Sequence, residues 1–196
     1  MPSDAQIVGL TTRWLERAVI GLNLCPFAKS VHIKGQIHYA VTVATSYPDL
    51  LEALKFELNA LLAGESIDRD TTLLIAPWAF PEFLAFNDFL PECDRLLRRM
   101  KLDGTLQIAS FHPQFQFAGT DVNDIGNYTN RAPFPILHLL REDSIDRAVA
   151  AFPEPDAIFE KNVETLHRLG VAGWNALGLQ CADNTAGVND HGKITP

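Results

Sequence analysis

The chain has 196 residues, 47% of them hydrophobic and 20% charged, which is long and apolar enough for one well-buried core and excludes disorder throughout. A net charge of −8 argues against general nucleic-acid binding, which needs a clustered basic face. The longest apolar runs, such as Ile136–Leu140 with His138 inside it, are far too short for a membrane span, and the first residues lack the basic-then-apolar layout of a signal peptide. The expected setting is therefore cytoplasmic, with no membrane and no nucleic-acid partner.

In chain order, Ser3 and Gln6 form a capping-box pattern, and Ile7, Leu10, Trp14, Ala18 and Leu22 recur at helical spacing. This helix should stop near Gly21–Asn23, ahead of Pro26. Gln36–Thr45 is rich in strand formers, and Ser46, Pro48 and Asp49 open a second helix. Its expected buried stripe is Leu51, Leu54, Leu58 and Leu61, with Gly64 past its end. Thr71–Ala76 is an apolar strand closed by Pro77. Phe83–Met100 has helical periodicity, although Pro91 should kink it or mark a fresh start. Leu106–Phe111 and Pro135–Arg141 give the third and fourth strands, and Ser144–Phe152 and Asp156–Leu169 the last helices. From Gln180 to Pro196 the apolar content falls and a disordered tail is expected, leaving residues 1–179 as one domain.

The order α-β-α-β-α-β-β-α-α predicts an α/β (α+β-like) fold with one mixed four-stranded sheet covered by helices. Helical crossovers favour parallel pairing of the first three strands, and the long loop before the fourth allows it to be antiparallel.

The motifs that mark dinucleotide, nucleotide triphosphate, zinc-protease and hydrolase-elbow sites do not occur. Asp121, Asn123 and Gly126 imitate the start of an EF-hand loop, but Ala132 occupies the twelfth position, where a bidentate Glu is required. Cys25, Cys93 and Cys181 are odd in number and widely spaced, so they form neither a disulfide framework nor a paired zinc motif.

Four stretches together carry a resemblance. They are Trp14–Glu16 running into Gly21–Ala28 (GLNLCPFA), Thr71–Ile75 (TTLLI), Gln107–Pro113 (QIASFHP), and Asn130–Pro135 (NRAPFP) leading to His138–Glu142 (HLLRE). With them the chain resembles domain of unknown function 1415, an uncharacterised bacterial family, from Trp14 to about Gly170. Two positions depart from the pattern the resemblance implies: Ala132 stands in place of a serine, and Lys161 in place of an arginine before Asn162. The resemblance implies no reaction.

Candidate site residues concentrate in the same stretches. Cys25 precedes Pro26, a residue favoured in a first helical turn, so its sulfur would sit near a positive helix end and near Lys29, with a lowered pKa and nucleophilic character. The alternative is a small buried hydrophobe. His112, Gln114 and Gln116 share one parity, opposite Phe111, Phe115 and Phe117, as in a strand lining a pocket on one face. The alternative is an edge strand with its polar side in water, which Pro113 supports. Arg131, beside Asn130, enters a stiff Ala132–Pro135 segment and suits a carboxylate or phosphate. Its alternative is a salt bridge to Asp121 or Asp124. His138 shares a face with Ile136 and Leu140 and fits a hydrogen-bonded core histidine.

The leading expectation is an enzyme acting on a small anionic substrate. His112 would be its acid/base, Arg131 its anion clamp, Cys25 its nucleophile, and Lys29, Gln114, Gln116 and Asn130 its substrate contacts. A second is a metal or haem protein using Cys25, His112 and His138. A third is a non-catalytic binding module in which the polar loop contacts another protein.

Overall fold

A computed structural model describes residues 1–150 and 157–179. The expected tail 180–196, the end of the helix at Phe152, the Pro153 and Pro155 connection, and Asp156 lie outside the described residues.

Seryl capping starts α1 (Asp4–Trp14) as expected, with the Ser3 hydroxyl and Gln6 side chain each receiving the other's backbone N–H. The helix then widens into a π-helical turn over Leu15–Ile20, in which Gly21 and Leu24 donate to carbonyls five residues back. A short helix α2 (Ala28–Ile33) follows, then β1 (Ile37–Val41), α3 (Tyr47–Ala63), β2 (Thr71–Ile75) and α4 (Phe83–Arg99). Helix α4 runs through Pro91 as one element, because neighbouring turns and a buried stripe of Phe86, Phe89, Cys93 and Leu96 hold it in place. Strand β3 (Leu106–Phe111) leads through a long loop and a 3-10 turn (Ile125–Asn130) to β4 (Ile136–Arg141). Helices α5 (Glu142–Ala150) and α6 (Ile158–Ala176) complete the described chain. Helix α6 outruns its expected end at Leu169. Gly170, at φ 66°, breaks its regularity and lets the chain resume as helix.

The sheet is mixed and four-stranded, in the order β1-β2-β4-β3. Strands β1 and β2 pair in parallel, as expected. The expected parallel pairing of β3 with them is corrected: β4 inserts between β2 and β3 and is antiparallel to both. Ile136, Leu137 and Leu139 explain this, since all three are fully buried and a strand apolar on both faces belongs inside a sheet.

Alternation along the strands divides two cores. One face carries Leu74, Leu137, Leu139 and Leu106 against α3 and α4, with Leu54, Leu58, Leu61 and Phe86 among the partners. In α3 the innermost position of the first turn is Leu50; Leu51, expected there, packs only partly buried. The other face carries Leu73, Ile75, Ile136 and Phe111 against α1, the π-helical turn and α6. Arg141 closes α3 by donating to the Leu61 and Gly64 carbonyls at 2.6 and 2.7 Å, so a helix end without enough partners is capped from β4. Among the described residues no helix is long and apolar enough to cross a membrane.

Candidate functional site

At the second core's edge the π-helical turn sets up an unusual approach to Cys25. The wide turn lets Leu24 N and Cys25 N both reach the Val19 carbonyl, at 2.9 and 3.4 Å. Asn23 completes the reversal in the left-handed region, at φ 55°, a conformation Asn tolerates better than most residues. Gly21 has no room for a side chain, because a Cβ there would lie 3.0 Å from the Arg17 carbonyl carbon and closer still to its oxygen. π-Helical turns are frequently found at functional sites.

The residue that follows the turn here is Cys25. It lines a cleft of about 370 Å³ with Val19 and Leu24 from the same segment, Phe111 from the end of β3, Thr129 and Asn130 from the 3-10 turn, and Ile158, Phe159 and Asn162 from α6. Asn162 donates its Nδ2 to the Leu24 carbonyl at 2.8 Å, tying α6 to the residue beside Cys25. Asn130 donates to the Ser110 carbonyl at 3.4 Å and lies 3.1 Å from the Thr129 hydroxyl, which also reaches the Gly126 carbonyl at 3.0 Å. The walls are otherwise apolar and aromatic, and no lining residue among those described is cationic.

The thiol is not activated as expected. Burial pushes its pKa above the usual thiol value, and the Phe27 and Ala28 backbone N–H groups at the sulfur pull the other way without overcoming it. The N-cap of α2 is Phe27, not Cys25, and Lys29 is exposed away from the cleft lining.

Of the expected site residues, Cys25 and Asn130 meet in this cleft. His112 does not join them. Strand β3 ends at Phe111, and His112 turns inward, 1% exposed, with its ring stacked on Phe86 at 5.3 Å. Gln114 N donates to its Nδ1 at 3.0 Å, so Nε2 carries the proton and donates to the Phe80 carbonyl at 2.9 Å. Burial lowers its pKa. Both nitrogens thus meet backbone partners, and His112 lies outside the cleft lining. The polar row does not form either: Gln114 is exposed, and Gln116 donates to the Thr120 carbonyl at 2.7 Å.

Arg131 is turned onto its own loop. It donates to the Phe115 and Val122 carbonyls at 3.1 and 2.8 Å and lies over the Tyr128 ring at 4.2 Å. Asp121 and Asp124 instead accept from Asn123 and Gly126 N–H groups, so the expected ion pair is replaced by carbonyl contacts. Buried Asn127 completes the lock, accepting from Phe117 N and Thr120 Oγ1 and donating to the Asp121 carbonyl.

His138 is a core histidine, as its strand position suggested. Thr71 Oγ1 donates to the Leu139 carbonyl and therefore accepts from His138 Nε2 at 2.8 Å, while burial pushes the imidazole pKa down to about 4. Cys25, His112 and His138 thus serve three separate environments, and no group of three or more His, Cys, Asp or Glu able to hold a metal occurs among the described residues. The sequence reading missed Asn162, Thr129 and Phe111 as cleft residues. For Asn162 a signal existed, because it sits beside Lys161, the second departure from the resemblance pattern.

No curated protein and no solved structure matches the chain. A family model matches residues 6–176, and the chain belongs to that family, DUF1415, described as a protein of unknown function.

Proposed function

We propose that the Cys25 cleft binds a small, largely apolar, uncharged molecule and that the Cys25 thiol is the group that meets it. One observation carries this reading: three of the segments that carry the family resemblance, through Leu24 and Cys25, Phe111, and Asn130, come from distant parts of the chain and line a single cleft. Pockets of this size with apolar walls and a few convergent polar groups are the usual form of small-molecule sites. Among the described residues the lining carries no cation, which turns the proposal away from an anionic substrate. His112 and Arg131 enter it as supports of the scaffold. Free Cys25 and Cys93 thiols suit a reducing compartment, which supports a cytoplasmic setting.

Thiol catalysis is a second reading, favoured by the Phe27 and Ala28 N–H groups at the sulfur. Once a proton leaves, the same two donors would stabilise the thiolate.

The test is a screen of neutral apolar fragments that scores thermal stabilisation together with protection of Cys25 from iodoacetamide, mapped by peptide mass. Fragments that stabilise should also protect, and Val19→Phe, which fills the cleft, should remove both effects. Stabilising fragments that leave Cys25 alkylation unchanged would overturn the reading.

A further inference from the structure

We propose that the sheet edge at β1 is a self-association surface, on which β1 pairs antiparallel with β1 of a second copy of this chain. Strand β1 stands at one end of the order β1-β2-β4-β3, with β2 as its partner. Thr42 N donates to the Ile75 carbonyl, and the Gln36 carbonyl accepts from the Asp70 and Thr71 N–H groups. The even-numbered residues from 36 to 42 therefore turn their backbone toward β2. By the alternation of a ladder, Ile37, Tyr39 and Val41 turn theirs away from the sheet. Among the described residues no other strand or loop pairs its backbone with them there. The opposite edge is different. On β3, Asn130 of the 3-10 turn donates its side chain to the Ser110 carbonyl at 3.4 Å, and its own carbonyl accepts from His112 N at 3.2 Å.

The chemistry of this edge selects the occupant. Edge strands are ordinarily guarded by Lys, Pro, a bulge or an inward charge, and β1, with the sequence IHYAV, has none of these residues. No Asp, Glu, Lys or Arg occurs from Gly35 to Pro48, in a chain of net charge −8. Two copies of so acidic a chain repel least where both are uncharged. The exposed apolar side chains around the strand also suit a twofold axis. Ile33, 72% exposed, and Ile67, 70% exposed, flank its start, where the Gln36 side chain holds the Ile67 carbonyl at 2.9 Å. Val43, 82% exposed, follows its end. An isologous pair centred on Tyr39 sets Ile37 opposite Val41 of the second copy. The same register brings Val43 opposite Gly35, beside the second copy's Ile33. Each hydrogen-bonded pair exchanges two N–H···O bonds, so the three outward residues make about six, and one sheet runs through both copies.

The experiment reads the oligomeric state of the intact chain by sedimentation velocity across a dilution series, with amide hydrogen exchange as the location readout. An edge of five residues is short, so the chain should be monomeric at low micromolar and dimeric at high micromolar concentration. The Ile37, Tyr39 and Val41 amides should exchange more slowly in the dimer, while those of His38 and Ala40, already facing β2, should keep their rates. Val43→Lys puts an ammonium beside the second copy's Lys34 and should weaken dimerisation about tenfold or more. Its thermal midpoint should not move, because the side chain is exposed. Leu84→Lys, on α4 and 74% exposed, should leave the dimer as it is. A chain that stays monomeric up to about 1 mM overturns the proposal. So does a dimer that keeps its affinity in Val43→Lys, or one whose three outward amides exchange at the monomer's rate.

Discussion

Gly21→Ala and Gly9→Ala make a pair of identical substitutions with opposite expected signs. Gly9 lies on the exposed side of α1, where an added Cβ meets nothing within 4 Å. Replacing it removes the flexibility that glycine gives the unfolded chain, so stability should rise by about 0.5–1 kcal/mol. Gly21 also has right-handed helical dihedrals, φ −63° and ψ −36°, and propensity alone predicts the same gain. At this position, though, the π-helical turn has drawn the Arg17 carbonyl into the space a Cβ needs, with Arg17 C at 3.0 Å and Glu16 O at 3.1 Å. The obstruction is backbone, which cannot move aside like a flexible side chain. Overpacking of this kind costs about 1–3 kcal/mol, and relief would require the turn to unwind. For a domain of this size each kcal/mol moves the midpoint by roughly 2–4 °C. Thermal melts followed by far-ultraviolet circular dichroism should therefore show Gly9→Ala raised by about 2 °C and Gly21→Ala lowered by about 4–10 °C. Because the turn aims Cys25, the alkylation rate of the Cys25 peptide should change in Gly21→Ala and stay at the wild-type value in Gly9→Ala. A Gly21→Ala protein that melts at or above the wild-type midpoint with unchanged Cys25 alkylation would refute the π-turn argument.

His112→Ala should destabilise the fold by about 2–4 kcal/mol in urea titrations, since it removes a ring packed on Phe86 and leaves the Phe80 carbonyl and Gln114 N–H without partners; an unchanged midpoint would restore the catalytic reading. Acid should weaken the protein through His138. Its folded pKa of about 4 lies below the unfolded value near 6.5, so only the unfolded state takes up a proton between those limits. That stability is fully present above about pH 6.5 and lost as pH falls toward 4, up to roughly 3 kcal/mol, and a flat urea midpoint between pH 7 and 4.5 would contradict it. Arg131→Lys should speed amide hydrogen exchange across residues 115–127, because an ammonium cannot reach the Phe115 and Val122 carbonyls together while covering Tyr128. Cys25 alkylation should be slow at neutral pH and rise steeply above the ordinary thiol range, as burial raises its pKa.

Most of the architecture was legible in the chain because its signals are local. The Ser3–Gln6 box, Ser46 with Pro48, and the apolar runs of β2 and β4 each specify their element without help from distant residues. Strand order was not legible, since it turns on which strand is apolar on both faces and on a connection long enough to reach the middle of the sheet. The π-helical turn was equally hidden. Its sequence, Leu15 to Ile20, has ordinary helical periodicity, and only the i−5 bonds of Gly21 and Leu24 reveal the extra residue.

For the site, polarity misled and resemblance helped, and the reason is physical. A loop from His112 to Arg131 crosses the end of a sheet with few ladder partners, so its backbone donors and acceptors must be satisfied from side chains. Asn127 meets two such groups, Arg131 two, and Asp121 and Asp124 one each. A dense row of Asn, Asp, Gln and Arg is therefore what a self-supporting loop requires, whether or not a ligand ever touches it. The cleft shows the opposite economy. Its polar equipment is sparse, on Cys25, Thr129, Asn130 and Asn162, and these residues are separated in sequence by up to the length of the fold. What brings them together is the Asn162 bond to the Leu24 carbonyl and the turn that presents Cys25, both of them tertiary. Asn162→Ala should accordingly alter the Cys25 alkylation rate while leaving exchange in the 115–127 loop at the wild-type level. A coupled change in both would mean that loop and cleft are one unit, and that the polar row does belong to the site.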